Sequence, residues 1–284
     1  MSFFRDWFIY DEICDYENLL SAWNIVKRKN GASGIDGVDV KKFSKETRDN
    51  LESIRNQLVK QEYSFLPVRE YSFEKKSGKK RYITIYTVKD RIVQRAMLNI
   101  LDPIVDPMLS ENCLAYRKGK GIKNAIKLIR RFWKMGFHFF LKADIENYFD
   151  SIPRRQLILR LIERYLQYGI KREHRVLKPV KGLSQGGILS PLLANVYLKD
   201  FDFLFESVNN QYIRYSDDLL LASKNSNQLK KTILKVRGSL KLLGLKIKDS
   251  SVTIYQPGET LSYLGCNFIS GKCIKSCLVG RGVK

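Results

Sequence analysis

Residues 212–222 read YIRYSDDLLLA, and the reading of this stretch decides the fold. Tyr212 to Tyr215 lead into Ser216, Asp217 and Asp218, and Leu219 to Ala222 lead away. The pattern predicts two adjacent carboxylates on a tight turn between buried strands. Asp-containing turns are common, so the segment alone leaves an ordinary turn open. Two like charges side by side nevertheless repel unless something neutralises them.

Upstream, the apolar run Phe139, Phe140, Leu141 ends in Asp144 and Ile145, followed by Glu146, Asn147, Tyr148, Phe149 and Asp150. A second predicted strand thus also closes on an acid. If that strand lies beside the hairpin, Asp144 converges with Asp217 and Asp218 on an oxygen-rich site of the kind magnesium prefers. Two such ions suit in-line phosphoryl transfer. Between the two segments lies QGGILSP, Gln185 to Pro191. Its glycines permit close backbone approach by a ligand, Ser190 and Pro191 suit a helix start, and Gln185 is a hydrogen-bonding candidate for a nucleotide or template. A Gly-rich helix entry occurs in many folds, so this signal depends on the neighbouring acids.

Working outward, helical periodicity covers residues 16–29, 41–60, 88–101, 122–133, 154–166, 191–206 and 227–243. Strands are expected at about 68–73 and 81–86, flanking a Lys-rich tip around Gly78, then at 137–143, within 212–223, and from Val252 onward. From Phe137 this order is a split βαβ pattern, an antiparallel sheet backed by helices on one side, in an α+β chain. No repeat, low-complexity tract or flexible linker separates the halves, which predicts one packed body.

The 284 residues include 51 Lys and Arg against 29 Asp and Glu, a formal net charge of +22. Such an excess calls for a polyanionic partner or, as the plainer alternative, a solvated basic surface that tolerates its self-repulsion, and with 12% aromatic residues the chain lacks the signature of a disordered basic tail. Nucleic acid is the leading partner. The five cysteines show no paired framework, which predicts free thiols in a reducing compartment and a cytoplasmic location. Cys266, Cys273 and Cys277 form a candidate zinc cluster, but neither His138 nor His174 lies near them in sequence. No apolar run reaches about 18 residues, so no membrane contact is expected.

Taken together, these motifs resemble the reverse transcriptases, bacterial members of the group II intron-like branch above all. Tyr215 to Asp218 is similar to their metal-binding tetrapeptide, with Ser216 where many bacterial members have Ala. Asp144 to Ile152 resembles their strand-end aspartate motif, and Gln185 to Pro191 their QGxxxSP segment. Upstream, Gly34 to Val38 resembles an N-terminal GxDGV element, Ile83 to Leu101 with Asp90, Arg91 and Gln94 a finger block, and Tyr116, Arg117 and Gly119 a basic turn. Downstream, Leu243 to Leu245 and Leu264 with Gly265 look like the last palm motifs and the primer grip.

The resemblance implies a right-hand polymerase: fingers over 1–135 with 163–184 as a candidate addition, palm over 136–270, a short basic tail over 271–284, and no thumb. It implies an RNA-directed DNA polymerase using two magnesium ions, an RNA template with a primer duplex, and deoxynucleoside triphosphates. A protein or structured-RNA partner would supply the missing grip. Asp144, Asp217 and Asp218 correspond to the catalytic aspartates, with the Ile145 carbonyl as a further metal ligand. Lys75 and Arg81 match the triphosphate-holding finger residues, and Phe149 the gate against a ribose 2′-hydroxyl. The lysine that relatives carry after LGL aligns with Ser251, with Lys248 and Lys246 nearby as substitutes. Other readings are a non-catalytic, maturase-like RNA-binding protein, a truncated reverse transcriptase, and an RRM-like module, though such modules put aromatics where this chain puts acids.

Overall fold

A computed structural model of the chain describes residues 9–74, 80–152, 162, 165–167, 169–172, 175–177, 181–206 and 211–275. In chain order it forms α1 (Tyr16–Lys29), α2 (Val40–Lys45), α3 (Thr47–Val59), β1 (Val68–Glu74), β2 (Lys80–Ile85) and α4 (Val88–Val105). Then follow α5 (Ile122–Lys134), β3 (Phe139–Asp144), α6 (Tyr148–Ser151), β4 (Ile170–Arg172), β5 (Arg175–Leu177), α7 (Ser190–Tyr197) and α8 (Lys199–Glu206). The chain continues through β6 (Gln211–Tyr215), β7 (Asp218–Ser223), α9 (Ser226–Leu242), β8 (Thr253–Tyr255), β9 (Leu261–Tyr263), β10 (Cys266–Ile269) and β11 (Lys272–Lys275). These elements make two compact units, Met1–Pro107 with Ile152–Ala194, and Met108–Ser151 with Asn195–Lys284. Residues 108–135 belong to the second unit, where α5 packs on the sheet.

In the first unit, Asp15 caps α1 by accepting the Glu17 and Asn18 amides, and the helix buries Leu19, Ala22, Trp23 and Val26. Trp23 meets Phe43 of α2 with ring centroids 4.6 Å apart. β1 and β2 pair antiparallel from Arg69↔Ile85 to Glu74↔Lys80, as the hairpin reading required. β4 adds to β1 in parallel, giving the order β2-β1-β4-β5. Thr87 caps α4, whose buried Asp90 accepts from the Tyr63 hydroxyl (2.9 Å), the Thr87 hydroxyl (2.8 Å) and the Leu66 amide (3.3 Å). Burial pushes the Asp90 carboxyl up to about 6 against these bonds. Gly34 of the GxDGV element packs on this cap: a Cβ there would lie 2.6 Å from the Thr87 backbone.

The second unit is built on a four-stranded sheet of order β6-β7-β3-β8, antiparallel throughout. Side chains alternate across it. On one face Phe140, Ile213, Leu220 and Ala222 form a core with Ala125, Ile129 and Phe132 of α5 and with Leu261, Tyr263, Cys266 and Phe268 of the β9–β10 hairpin. The alternate residues Tyr212 and Arg214 point to the opposite face, where Phe201 and Phe205 of α8 pack on Tyr212. Helices therefore cover both faces of the sheet and not one. The expected helix over 191–206 is two helices broken at Leu198, with no glycine or proline to mark the break. Most of the helix expected over 154–166 lies outside the described residues.

The α8 face holds a fully buried ion pair. Arg214 Nη2 and Nε donate to Asp202 Oδ2 and Oδ1 at 2.6 and 2.7 Å, with both side chains at 0% exposure. The other three guanidinium protons serve Asn195 Oδ1 (3.0 Å), the Ser216 carbonyl (3.3 Å) and Cys113 Sγ (3.1 Å). All five donors of the fork are thus used. Asp202 also accepts the Tyr212 hydroxyl at 2.9 Å. Removing one partner strands a charge in a dry interior, whereas removing both does not. Asp202→Ala should therefore lower the stability of this unit by about 3–5 kcal/mol in urea unfolding, and the double variant Asp202→Leu/Arg214→Met should recover most of the loss.

Candidate active site

The two acid-bearing segments are neighbours because β3 and β7 pair along their whole length, from Phe139↔Ser223 to Asp144↔Asp218. Asp144 and Asp218 therefore stand directly opposite each other at one end of the sheet. Tyr215↔Asp218 closes the β6–β7 hairpin, leaving Ser216 and Asp217 as a two-residue turn with Ser216 in the left-handed region at φ 61°. Below the turn, Arg214 holds the Ser216 carbonyl. Beside it, the Ile145 amide donates to the Asp217 carbonyl at 2.9 Å.

The backbone after β3 is fixed from the other side. The Asp144 amide donates to Ser251 Oγ (2.9 Å), which itself donates to the Lys248 carbonyl (2.6 Å). The Lys248 amide returns to the Asp144 carbonyl (2.9 Å), and the Glu146 amide donates to the Lys246 carbonyl (2.7 Å). Ser251 is thus a backbone clamp on the first acid. Tyr263 donates to the Asp218 carbonyl at 3.2 Å, latching the β9–β10 hairpin to the same strand end.

Alternation places Lys142 on the face of Asp144 and Asp218, with its ammonium 3.8 Å from Asp218 Oδ1. The Asp218 carboxyl is pushed up to about 7, first by burial and then by the Asp144 carboxyl it faces, while Lys142 pulls the other way. Asp144 Oδ1 is buried without a hydrogen-bond partner. This pair fits a divalent cation: two facing carboxylates, an unanswered buried oxygen and hard oxygen donors. Asp217 is exposed on the turn, and among the described residues no group of three His, Cys, Asp or Glu side chains is close enough together to hold an ion. The structure thus brings two of the three acids together as side chains and ties the third in through its backbone.

Phe149 follows in α6, half-buried, its ring edge-on to Tyr116 (6.3 Å) and Tyr148 (5.4 Å). Tyr116 is 57% exposed, so Phe149 sits in an open aromatic corner and not in the core. Arg117, read as part of a basic turn, is instead buried and donates to the Ser110 and Cys113 carbonyls at 2.6 and 3.1 Å.

Gln185 belongs to the first unit, where its carbonyl accepts the Thr84 amide (2.9 Å) and hydroxyl (3.1 Å). The glycines after it serve the protein's own packing. A Cβ on Gly186 would lie 2.4 Å from the Thr84 carbonyl oxygen, and one on Gly187 2.3 Å from the Tyr165 hydroxyl. They were expected to admit a ligand; they admit β2 and a buried cluster in which Ser184 and Ser190 meet Tyr86 and Tyr165. Gln94 ties α4 to this loop by accepting the Ile188 amide at 2.8 Å. Arg81 lies on β2 opposite Phe73, and Lys75 lies outside the described residues. Cys14, Cys113, Cys266 and Cys273 are free thiols. Among the described residues no helix is long and apolar enough to cross a membrane.

The sequence reading missed Arg214, Asp202 and Lys142. A charged residue on the apolar strand YIRY and an acid within the helix KDFDFLFE were the available signals. The raised carboxyl of Asp218 carries a sign. Its folded pKa exceeds the unfolded 3.8, so the site loses stability as pH climbs from about 4 to about 7 and loses no more above that. In metal-free buffer, Asp144→Asn should therefore raise the unfolding midpoint at pH 8 and leave it nearly unchanged at pH 4.

Residues 73–268 match the family pattern described as reverse transcriptase (RNA-dependent DNA polymerase). The group II intron-encoded protein LtrA of Lactococcus lactis subsp. cremoris is 29% identical over 243 residues, covering 81% of this chain and 40% of that protein. Protein YkfC of Escherichia coli K12 is 29% identical over 205 residues, covering 66% of this chain and 54% of YkfC. The chain thus spans about half the length, or less, of these relatives. In fold it resembles apo telomerase from Candida tropicalis, with a TM-score of 0.57 at 13% identity over 75% of this chain and 49% of that one. Since the matched pattern runs through both acid-bearing strands, β3 and β7, the chain belongs to the reverse transcriptase (RNA-dependent DNA polymerase) family, with group II intron-encoded proteins among its relatives.

Proposed function

We propose that the chain is an active RNA-directed DNA polymerase that extends a primer 3′-end on an RNA template. The observation that carries the proposal is the facing pair Asp144 and Asp218 with its unanswered oxygen, beside a turn that presents Asp217. Asp144, Asp217, Asp218 and the Ile145 carbonyl would hold two magnesium ions. When bound, magnesium supplies Lewis acidity for the attacking 3′-oxygen and charge neutralisation for the leaving pyrophosphate. Lys142, on the same face, balances charge and orients the Asp218 carboxylate.

The second unit is read as the palm and the first as the fingers. In the fingers, Lys75 and Arg81 are assigned to the triphosphate, a role that suits cationic donors, and Gln185 to the nucleotide or template. Phe149 is assigned to the sugar: a ring that cannot donate a hydrogen bond collides with a 2′-hydroxyl and favours deoxynucleotides. A protein or structured-RNA partner steadies the primer duplex. The alternative, a maturase-like RNA-binding protein without catalysis, draws on the acids' failure to group as a trio among the described residues.

Primer extension on an RNA template with magnesium separates the two. Asp217→Asn should cut extension by about a hundred-fold or more while leaving RNA binding in place. Equal extension by wild type and variant would sink the catalytic reading. Phe149→Ala should raise ribonucleotide incorporation relative to deoxynucleotide by about ten-fold or more. A wild type already indifferent to the sugar would remove Phe149 from that role.

A further inference from the structure

We infer that the outer face of α5 is a second nucleic-acid site, one that grips the sugar–phosphate backbone of RNA away from the carboxylates. From Cys113 to Ala143 the chain contains no acid and nine Lys and Arg residues. Five of them, Lys123, Lys127, Arg130, Arg131 and Lys134, lie on α5 and are all exposed. Their spacing confines them to an arc of about 100° at 3.6 residues per turn, opposite the buried Ala125, Ile129 and Phe132. None forms an ion pair with a described residue.

Like charges three and four residues apart on a helix repel, and here no acid relieves them. A polyanion does. The cations run about 16 Å along the helix at 1.5 Å per residue, enough to meet several phosphates in turn. A membrane surface needs an apolar helix face to insert, and on α5 that face is sealed into the sheet core. The α5 cations are not those recorded at the carboxylates: among the described residues the ammonium beside Asp218 is that of Lys142, while α5 turns its inner face to the sheet and its cations outward. The exposed face of α9 is less suited: its lysines are interrupted by the exposed Leu234 and Leu242, and its Arg237 is paired with Asp249.

The inference rests on the reading of the chain as an RNA-handling protein but not on its being catalytic. The test replaces all five α5 cations with glutamine, a good helix former. A matched control replaces Lys224, Lys230, Lys231, Lys235 and Lys241, so that both variants lose equal charge. Binding of a structured RNA of about 100 nucleotides is measured without nucleotides over a range of salt. The α5 variant should bind at least about ten-fold more weakly. Its slope of log affinity against log salt should fall by about 2–3.5, given about 0.7 per single-strand phosphate contact, and the control should change far less.

Equal losses in both variants, or an unchanged slope in the α5 variant, would overturn the site. If the fivefold variant does not fold, Lys127→Gln and Arg131→Gln singly should each lower the slope by about 0.7, and no change in either is again fatal. Asp217→Asn should bind this RNA like wild type. A chain that binds through α5 yet never extends a primer would overturn only the catalytic proposal, and the reverse outcome only this one.

Discussion

A guanidinium shut away from water has to be answered by its neighbours, and the answers to Arg214 organise the second unit. Its five donors reach Asp202 on α8, Asn195 on α7, Cys113 in the loop before α5 and the Ser216 carbonyl in the β6–β7 turn. The main chain of Arg214 is bound into the same loop, accepting the Leu114 amide and donating to the Asn112 carbonyl. A dry charge tolerates little displacement, since each lost bond leaves a donor without water to replace it. The acid-bearing turn therefore sits on a rigid support three residues before Asp217.

On the opposite face, the support is apolar. Phe140, Leu220 and Ala222 bury against α5 and the β9–β10 hairpin, and this burial fixes the register between β3 and β7. A slip of one residue would turn that whole set to the other face and part Asp144 from Asp218. The same alternation brings Lys142 to the pair, while Ser251 and Tyr263 hold the backbone at either side. Polar network and apolar core thus act on one strand end from two sides. The outer surface of α5 is left to its cations.

Much of this was legible in the residues. The hairpin at 68–86, the helices at 16–29, 88–101 and 122–133, and the strands meeting at Asp144 and Asp218 carry strong local patterns, and each appears close to its expected place. What misled were residues whose type fits two roles. Gly186 and Gly187 permit close approach, but whether by ligand or by protein depends on what lies opposite, and Thr84 and Tyr165 are about 100 and 22 residues away in sequence. Arg117 looked like a surface cation because its carbonyl partners come from a loop without sequence signature. Helices on both faces of the sheet were missed because alternation says which side chains share a face, not which helix covers it.

The sequence by itself determined the element types, the strong positive charge and the acids at strand ends, because periodicity, turn chemistry and residue charge are local properties. Its resemblance to reverse transcriptases also followed from motifs in order. Only the tertiary structure decided that Asp144 faces Asp218, that Asp217 is held through its backbone, that Arg214 is a buried hub, and that the α5 cations share one outward face above a sealed apolar one. Those are matters of register and of partners far apart in the chain, and they are set by how faces are buried together.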